Sequence, residues 1–226
     1  MGLLYQDPIQ EGVATQPVVE EAFSVFEFAV KGGWVMAILG VMSVIAILIF
    51  VERLRVLRRA RGNRDEILDE VKSAVREGDI KRAETICEGE NSPMARMILT
   101  GLHHIGSSLK NIEAAIENTG KIEVYYLEKN ISILGTISGA APMIGFLGTV
   151  IGMIKAFLAM SQVEGAVSAK DLSSGISEAM ITTAGGLCVG ILAYICYNFL
   201  VRQVADAVHN MEVTSIEFMD LLQQPN

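Results

Sequence analysis

Glu178 is the residue of this 226-residue sequence whose type and position most directly suggest chemistry. It is the single charged residue in the apolar run 172–201. An ionised side chain well inside a membrane costs about 2.5–3.5 kcal/mol on insertion scales, so it requires a partner, a water path or a function. Two interpretations stay open: Glu178 lines an ion path, or it forms a purely structural pair with Lys155.

Two threonines supply the other candidate polar groups. If the apolar runs that contain Thr149 and Thr183 fold as an antiparallel hairpin, residues of equal depth have numbers that sum to about 334, within one helical turn. Thr149 then lies opposite Gly185, within a turn of Thr183. The two hydroxyl groups therefore form one polar level, unless each bonds to its own helix, as is common in membrane spans. The same register places Lys155 next to Glu178.

Small residues line one face of each of these two runs. Their steps of three or four residues put them on one side of a helix, where small side chains let two backbones approach closely. The spacing predicts that the two helices pack against each other. The first run contributes Gly135, Gly139, Pro142, Gly145, Thr149 and Gly152, with Gly148 spaced four residues from Gly152, and the second contributes Gly175, Ala179, Thr183, Gly186, Gly190 and Ala193.

Three long runs with few charges predict three transmembrane helices. A helix needs about 20 apolar residues to cross a hydrocarbon core of about 30 Å, and residues 32–51, 130–163 and 172–201 provide them. Only 19% of all residues are charged, against about 25% in soluble domains. Residues 1–31 hold five acidic residues and a single Lys, unlike a cleaved signal peptide. The sequence therefore predicts an all-α integral membrane protein with a retained first span.

The basic residues predict the orientation of these spans. Lys and Arg near span ends stay in the cytoplasm, and 14 of the 18 lie in residues 52–129. Residues 1–31 and the loop 164–171 are therefore predicted outside, and the C-terminal helix 202–226 inside. Six arginines that follow the first span are either this topology signal or a site for anionic lipid: Arg53, Arg55, Arg58, Arg59, Arg61 and Arg64.

The cytoplasmic region 52–129 is predicted to be helical. Apolar residues at helical spacing indicate a helix that ends by Gly78 and a short one over residues 80–87. Ser92 and Pro93 form a helix-start signature, and this third helix runs to about Ile105.

Two much longer helices are predicted to cross the membrane and continue below it. From Leu109 the pattern predicts one continuous helix to Met160, about 78 Å long at 1.5 Å per residue. The third span is likewise predicted to continue into the C-terminal tail. We expect these extensions to form a cytoplasmic basket, with residues 64–105 packed outside it.

Several classes of protein are excluded by what the sequence lacks. It contains no phosphate-binding glycine loop, no nucleophile elbow, and no Cys or His set at metal spacing. We therefore expect no enzyme activity, no cofactor and no metal. A formal charge of −8 and a pI near 5.0 argue against a nucleic-acid partner. A substrate transporter would usually show internal repeats, which leaves an ion channel and a non-conducting assembly scaffold as alternatives.

Two segments resemble the ExbB/TolQ/MotA proton-channel family, with ExbB the nearest in pattern. They are APMIGFLGTVIGMIKAF, from Ala141 to Phe157, and GISEAMITTAGGLCVGILAYICYNFL, from Gly175 to Leu200. The family's pore threonines match Thr149 and Thr183, and its membrane glutamate matches Glu178. Lys155 departs from the uncharged residue that some ExbB proteins carry.

The resemblance implies a homo-oligomeric ring, with five subunits, in a bacterial inner membrane. It further implies a periplasmic N-terminus, a cytoplasmic C-terminus and an ExbD-like single-span partner that carries a membrane aspartate. Proton flow past that aspartate would energise a TonB-like protein and outer-membrane transport. A TolQ-like role in envelope maintenance is the alternative within the family.

Overall fold

The computed structural model describes residues 32–61, 64–161 and 169–223, and every regular element in these ranges is an α-helix. The expected N-terminal segment 1–31 and most of the loop 164–171 lie outside the described residues. This confirms the all-α prediction for the described part of the chain. The helices are α1 Gly33–Arg61, α2 Arg64–Arg76, α3 Ile80–Gly89, α4 Pro93–His103, α5 Leu109–Glu128, α6 Ile131–Ser161 and α7 Ala169–Gln223.

Three stretches are long and apolar enough to cross a membrane. They are Gly33–Ala60, Leu109–Ser161 and Ser173–Gln223, and each overlaps one of the predicted spans along most of its length. The prediction of three spans is therefore confirmed. The third span continues without interruption into the tail, because α7 is a single helix of 55 residues.

The predicted continuous helix from Leu109 to Met160 is wrong, because the chain breaks between α5 and α6. Lys129 has an extended ψ of 134° and Asn130 a φ of 65°. Asparagine tolerates this left-handed conformation better than most residues. The break frees the carbonyl of Tyr126, which would otherwise accept from the amide of residue 130. The guanidinium of Arg53 donates to that carbonyl at 3.1 Å instead.

The break lies beside an open groove between α5–α6 and α7. The groove has a volume of about 890 Å³, and its lining includes Tyr125, Asn130, Tyr197 and His209. Its lining residues do not include Thr149, Thr183 or Glu178. Helix α6 alone, at 31 residues, is about 46 Å long and still exceeds the hydrocarbon thickness.

Of the three short helices, α4 packs on α5 and α7, α2 contacts α7, and α3 packs on α2 and α4. Ser92 accepts a hydrogen bond from the amide of Ala95 at 3.2 Å and caps α4, as its sequence signature predicts, and the helix ends at His103. A Cβ added at Gly101 would lie 2.6 Å from the ring of Phe218, so α4 contacts α7 closely. The short helices thus belong to the same core as the long ones.

Ion pairs also join the short helices to the long ones. Arg96 on α4 donates to both carboxylate oxygens of Glu123 on α5, at 2.6 and 2.5 Å. This side-chain hydrogen bond raises the pKa of Arg96 above its ordinary value. Lys72 on α2 donates to Glu217 on α7 at 2.6 Å. Cys87 is buried, and burial raises the pKa of its thiol to about 11, in keeping with a packing role.

Candidate ion-path site

Helices α6 and α7 form an antiparallel pair whose backbones touch. A Cβ added at Gly145 would lie 2.8 Å from the carbonyl oxygen of Thr182 and 3.0 Å from the Cα of Gly186. A Cβ at Gly186 would lie 2.7 Å from the carbonyl oxygen of Ala141. Cβ atoms essentially never approach other atoms within 3.0 Å. Glycine is therefore required at these crossings, because any larger residue would push the helices apart.

Other members of the small faces extend the contact in both directions. Gly152 lies against Ala179 toward the loop, and Gly190 lies against Pro142 on the opposite side of the crossing. Pro142 has no amide hydrogen to offer the carbonyl of Ser138, and a Cβ at Gly190 would lie 3.2 Å from that oxygen. The close approach thus occurs where Pro142 removes one backbone hydrogen bond from α6.

Two predicted packing glycines differ from the rest. A Cβ at Gly135 would meet only the ring of Tyr197, at 3.2 Å. Nothing within the described residues lies within 4 Å of a Cβ at Gly139, which is exposed. Gly139 therefore does not take part in the α6–α7 contact of this subunit.

The hydroxyl groups of Thr149 and Thr183 bind neighbouring carbonyl groups of α6. Thr183 Oγ1 donates across the helix pair to the carbonyl oxygen of Gly145 at 3.2 Å. Thr149 Oγ1 donates within its own helix to the carbonyl oxygen of Phe146 at 2.6 Å. Both threonines are partly exposed. The structure thus places the two side chains at one level and leaves both within reach of a further molecule.

The helix register is displaced from the predicted one by about one turn. Gly148 lies directly against Thr182, so Thr149 is level with residues 181–182 instead of Gly185. The displacement falls within the one-turn range of the prediction. It brings Thr149 and Thr183 to the same depth within a residue or two.

Thr182 is a residue of this level that the sequence analysis missed. Its side chain is 1% exposed, and its hydroxyl donates to the carbonyl oxygen of Ala179 at 2.8 Å. Steps of three and four residues from Gly175 through Ala179 reach Thr182 and Gly186 as well as they reach Thr183. The spacing alone could therefore have indicated either threonine, and only the rotation of α7 decides which one is buried.

Glu178 and Lys155 form an ion pair between α7 and α6. Lys155 Nζ donates to Glu178 Oε1 at 2.8 Å, with side-chain exposures of 51% and 25%. The same carboxylate oxygen faces Gly33, the first residue of α1, where a Cβ would lie 2.8 Å away. The structure brings together the two charges that the hairpin register placed side by side, and adds a third helix to their surroundings.

The first span packs on the α6–α7 pair along one side. Val35 and Leu39 are 4% and 1% exposed, whereas Val41 and Leu48 are 61% and 63% exposed. Helix α1 is therefore a peripheral helix of the subunit with one wide apolar face uncovered. Within the described residues, no cluster of three or more His, Cys, Asp or Glu could hold a metal ion.

Comparison with known proteins identifies the family of this chain. A family model described as the MotA/TolQ/ExbB proton channel family matches residues 89–213, which is more than half of the chain. The chain belongs to this family. The residues of this chain that match the family model include Thr149, Thr183, Glu178 and Lys155. They leave out α1 with Gly33.

Individual relatives support the same assignment. The putative biopolymer transport protein ExbB-like 1 of Synechocystis sp. is 32% identical over 173 residues, covering 76% of this chain and 68% of that protein. The biopolymer transport protein ExbB of Aquifex aeolicus is 38% identical over 86 residues, covering 38% and 57%. The Tol-Pal system protein TolQ of Haemophilus influenzae is 39% identical over 82 residues, covering 36% of each chain. The resemblance to the ExbB/TolQ/MotA family is thereby confirmed.

Proposed function

We propose that this chain is the ring-forming subunit of a proton-driven motor in a bacterial inner membrane. In this proposal it works with an ExbD-like single-span partner and energises TonB-dependent outer-membrane transport. The observation that carries the proposal is that Thr149 and Thr183 lie at similar depth on the closely packed α6–α7 pair. Both threonines are partly exposed, and the chain belongs to a proton channel family.

A partner is required because one subunit has too few titratable groups to relay protons. Residues 131–161 contain no acidic residue, and Glu178 is the single one in 172–201. The α6–α7 crossing itself is packed backbone against backbone, so a water path would run along its exposed side. A second chain with a membrane carboxylate would complete that path, with Thr149 and Thr183 offering hydroxyl groups to it.

A ring would cover the apolar surface that the single subunit exposes. On α6 the side chains of Met143, Phe146 and Phe157 are 73%, 66% and 54% exposed, and on α7 Met180 is 68% exposed. The three residues on α6 are spaced by 3 and 11 residues, about one and three helical turns, so they lie on one face of that helix. A homo-oligomer of five subunits with α6 and α7 toward the centre and α1 toward lipid would bury these faces. The mass of the complex in mild detergent tests this number.

Orientation in the proposal follows the basic residues. Residues 52–129 and 202–226 lie in the cytoplasm, and residues 1–31 and 164–171 lie in the periplasm. The Glu178–Lys155 pair, which lies near the 164–171 loop, is then on the periplasmic side of the ion path, where it tunes proton entry. Protease added to the periplasmic face should leave the region 52–129 intact.

A TolQ-like role in envelope maintenance is the second candidate. It is favoured by the identity of 39% over 82 residues to the TolQ protein of Haemophilus influenzae. Deletion of the gene separates the two: loss of energy-dependent uptake across the outer membrane supports the ExbB-like role. Leakage of periplasmic proteins with normal uptake supports the TolQ-like role, and neither effect would support a non-conducting scaffold.

A further inference from the structure

Gly33 is exposed, but a side chain added there would meet the carboxylate of Glu178. It is the first residue of α1, and its φ of +65° lies in the left-handed region. A Cβ there would lie 2.8 Å from Glu178 Oε1 and 3.7 Å from the carboxyl carbon. The same oxygen accepts the hydrogen bond from Lys155 at 2.8 Å. Glu178 is thus enclosed between the start of α1 and the ammonium group on α6.

The start of a helix suits a carboxylate for a physical reason. The first four amide groups of a helix have no acceptor within the helix, and the peptide dipoles sum to a partial positive charge at that end. Lys155 presents a full positive charge from the other side. Helix α1 therefore contributes favourable electrostatics to Glu178 as well as a steric boundary.

The start of α1 is held firmly against α7 next to this carboxylate. A Cβ at Gly185 would lie 2.8 Å from Met36 Sδ, and one at Gly32 would lie 3.2 Å from Ile181 Cγ2. Val35, one turn into α1, is 4% exposed. These contacts fix where residue 33 lies relative to α7, so a side chain added there would displace the flexible end of Glu178 and not the helix.

We propose that Gly33 is a positioning residue for Glu178: its missing side chain lets the carboxylate seat between the outer end of the first span and Lys155. This inference rests on the proposed function, in which Glu178 tunes proton entry. It gives the first span a part in the ion path beyond anchoring the subunit. Any movement of the outer end of α1 would then move the carboxylate as well.

The test compares Gly33→Ala in two backgrounds, as a double-mutant cycle. The chain is reconstituted with an ExbD-like single-span protein from the same organism, and proton flux into vesicles is followed with a pH-sensitive dye. Gly33→Ala should lower the flux about tenfold, the change expected when one contact to a charged group is lost. In the Glu178→Asp background, where the carboxylate is one methylene shorter, Gly33→Ala should cause no further loss.

A matched control isolates the cost of the backbone conformation. Gly78 also has a positive φ, +78°, and nothing lies within 4 Å of a Cβ there. Gly78→Ala carries a similar backbone strain without meeting another atom, so flux should stay at the wild-type value. Equal losses from Gly33→Ala in both backgrounds, or a comparable loss from Gly78→Ala, would overturn the inference.

A second measurement keeps the two proposals separate. Gly33→Ala should lower the thermal midpoint of the detergent-solubilised protein, and the fall should be smaller in the Glu178→Asp background. This expectation holds whether or not the Glu178→Asp protein conducts protons. An equal fall in both backgrounds would again overturn the positioning role. Full flux in Glu178→Gln would instead contradict the part of the proposed function that assigns Glu178 to the path, while leaving the thermal comparison valid.

Discussion

Thr183 reaches across the helix pair to the carbonyl oxygen of Gly145, and Thr149 binds the next carbonyl along the same helix, that of Phe146. Two hydroxyl groups from different helices are therefore held one residue apart on the α6 backbone. Each hydroxyl still has lone pairs that can accept a hydrogen bond. A water chain or a carboxyl group from a neighbouring helix could bind both at once.

Removal of the Thr183 hydroxyl tests the role of this level. Thr183→Val keeps the volume and leaves the carbonyl of Gly145 without its interhelix donor, which costs on the order of 0.6 kcal/mol in a membrane protein. We predict a clear fall in ion-driven uptake with oligomer assembly retained. Thr136→Val is the control, since the Thr136 hydroxyl is exposed and binds only its own helix at Ser132. Normal uptake in Thr183→Val would remove this hydroxyl from the ion path.

The Glu178–Lys155 pair can be tested by neutralising both charges. A purely structural pair can be replaced by neutral groups with little loss, whereas breaking one partner leaves an uncompensated charge. We predict that Glu178→Gln with Lys155→Met retains normal protein levels but loses energy-dependent uptake. Lys155→Met alone serves as the comparison for the unpaired carboxylate. Wild-type uptake in the double variant would establish the pair as structural.

The contact between Gly148 and Thr182 predicts a site that does not tolerate a methyl group. Overpacking a tight contact costs about 1–3 kcal/mol, so Gly148→Ala should lower the thermal midpoint of the detergent-solubilised protein. Gly40→Ala in the first span is the control, because nothing lies within 4 Å of a Cβ there. Equal midpoints for the two variants would contradict the α6–α7 packing described above.

Arg53 is predicted to stabilise the break between α5 and α6. Arg53→Met removes the side-chain donor from the part-buried carbonyl of Tyr126, at a cost of about 0.5–1.5 kcal/mol. Amide exchange around residues 126–131 should accelerate in this variant. Arg58→Met removes the same charge from an exposed position of the same helix and should leave exchange unchanged. Unaltered exchange in Arg53→Met would show that the break does not depend on this side chain.

The spans and several helix ends could be predicted from the sequence because they depend on local signals. Long runs with few charges indicate the three spans, and Ser92 with Pro93 indicates the start of α4. The break at Asn130 could not be predicted, since the carbonyl it frees is satisfied by Arg53, 73 residues away. Likewise Thr182 and Thr183 differ by about 100° around the helix. Their burial depends on how α7 is rotated against α6, which spacing alone does not determine.

The most direct test of the proposed function is proton flux into sealed vesicles, driven by an imposed membrane potential. Vesicles would contain this chain alone, an ExbD-like single-span protein from the same organism alone, or both. We predict flux only when both are present, and a loss of that flux in Thr183→Val but not in Thr136→Val. Equal flux from this chain without a partner, or no flux from the assembled pair, would contradict the proposal that the chain is the ring subunit of a two-component proton-driven motor.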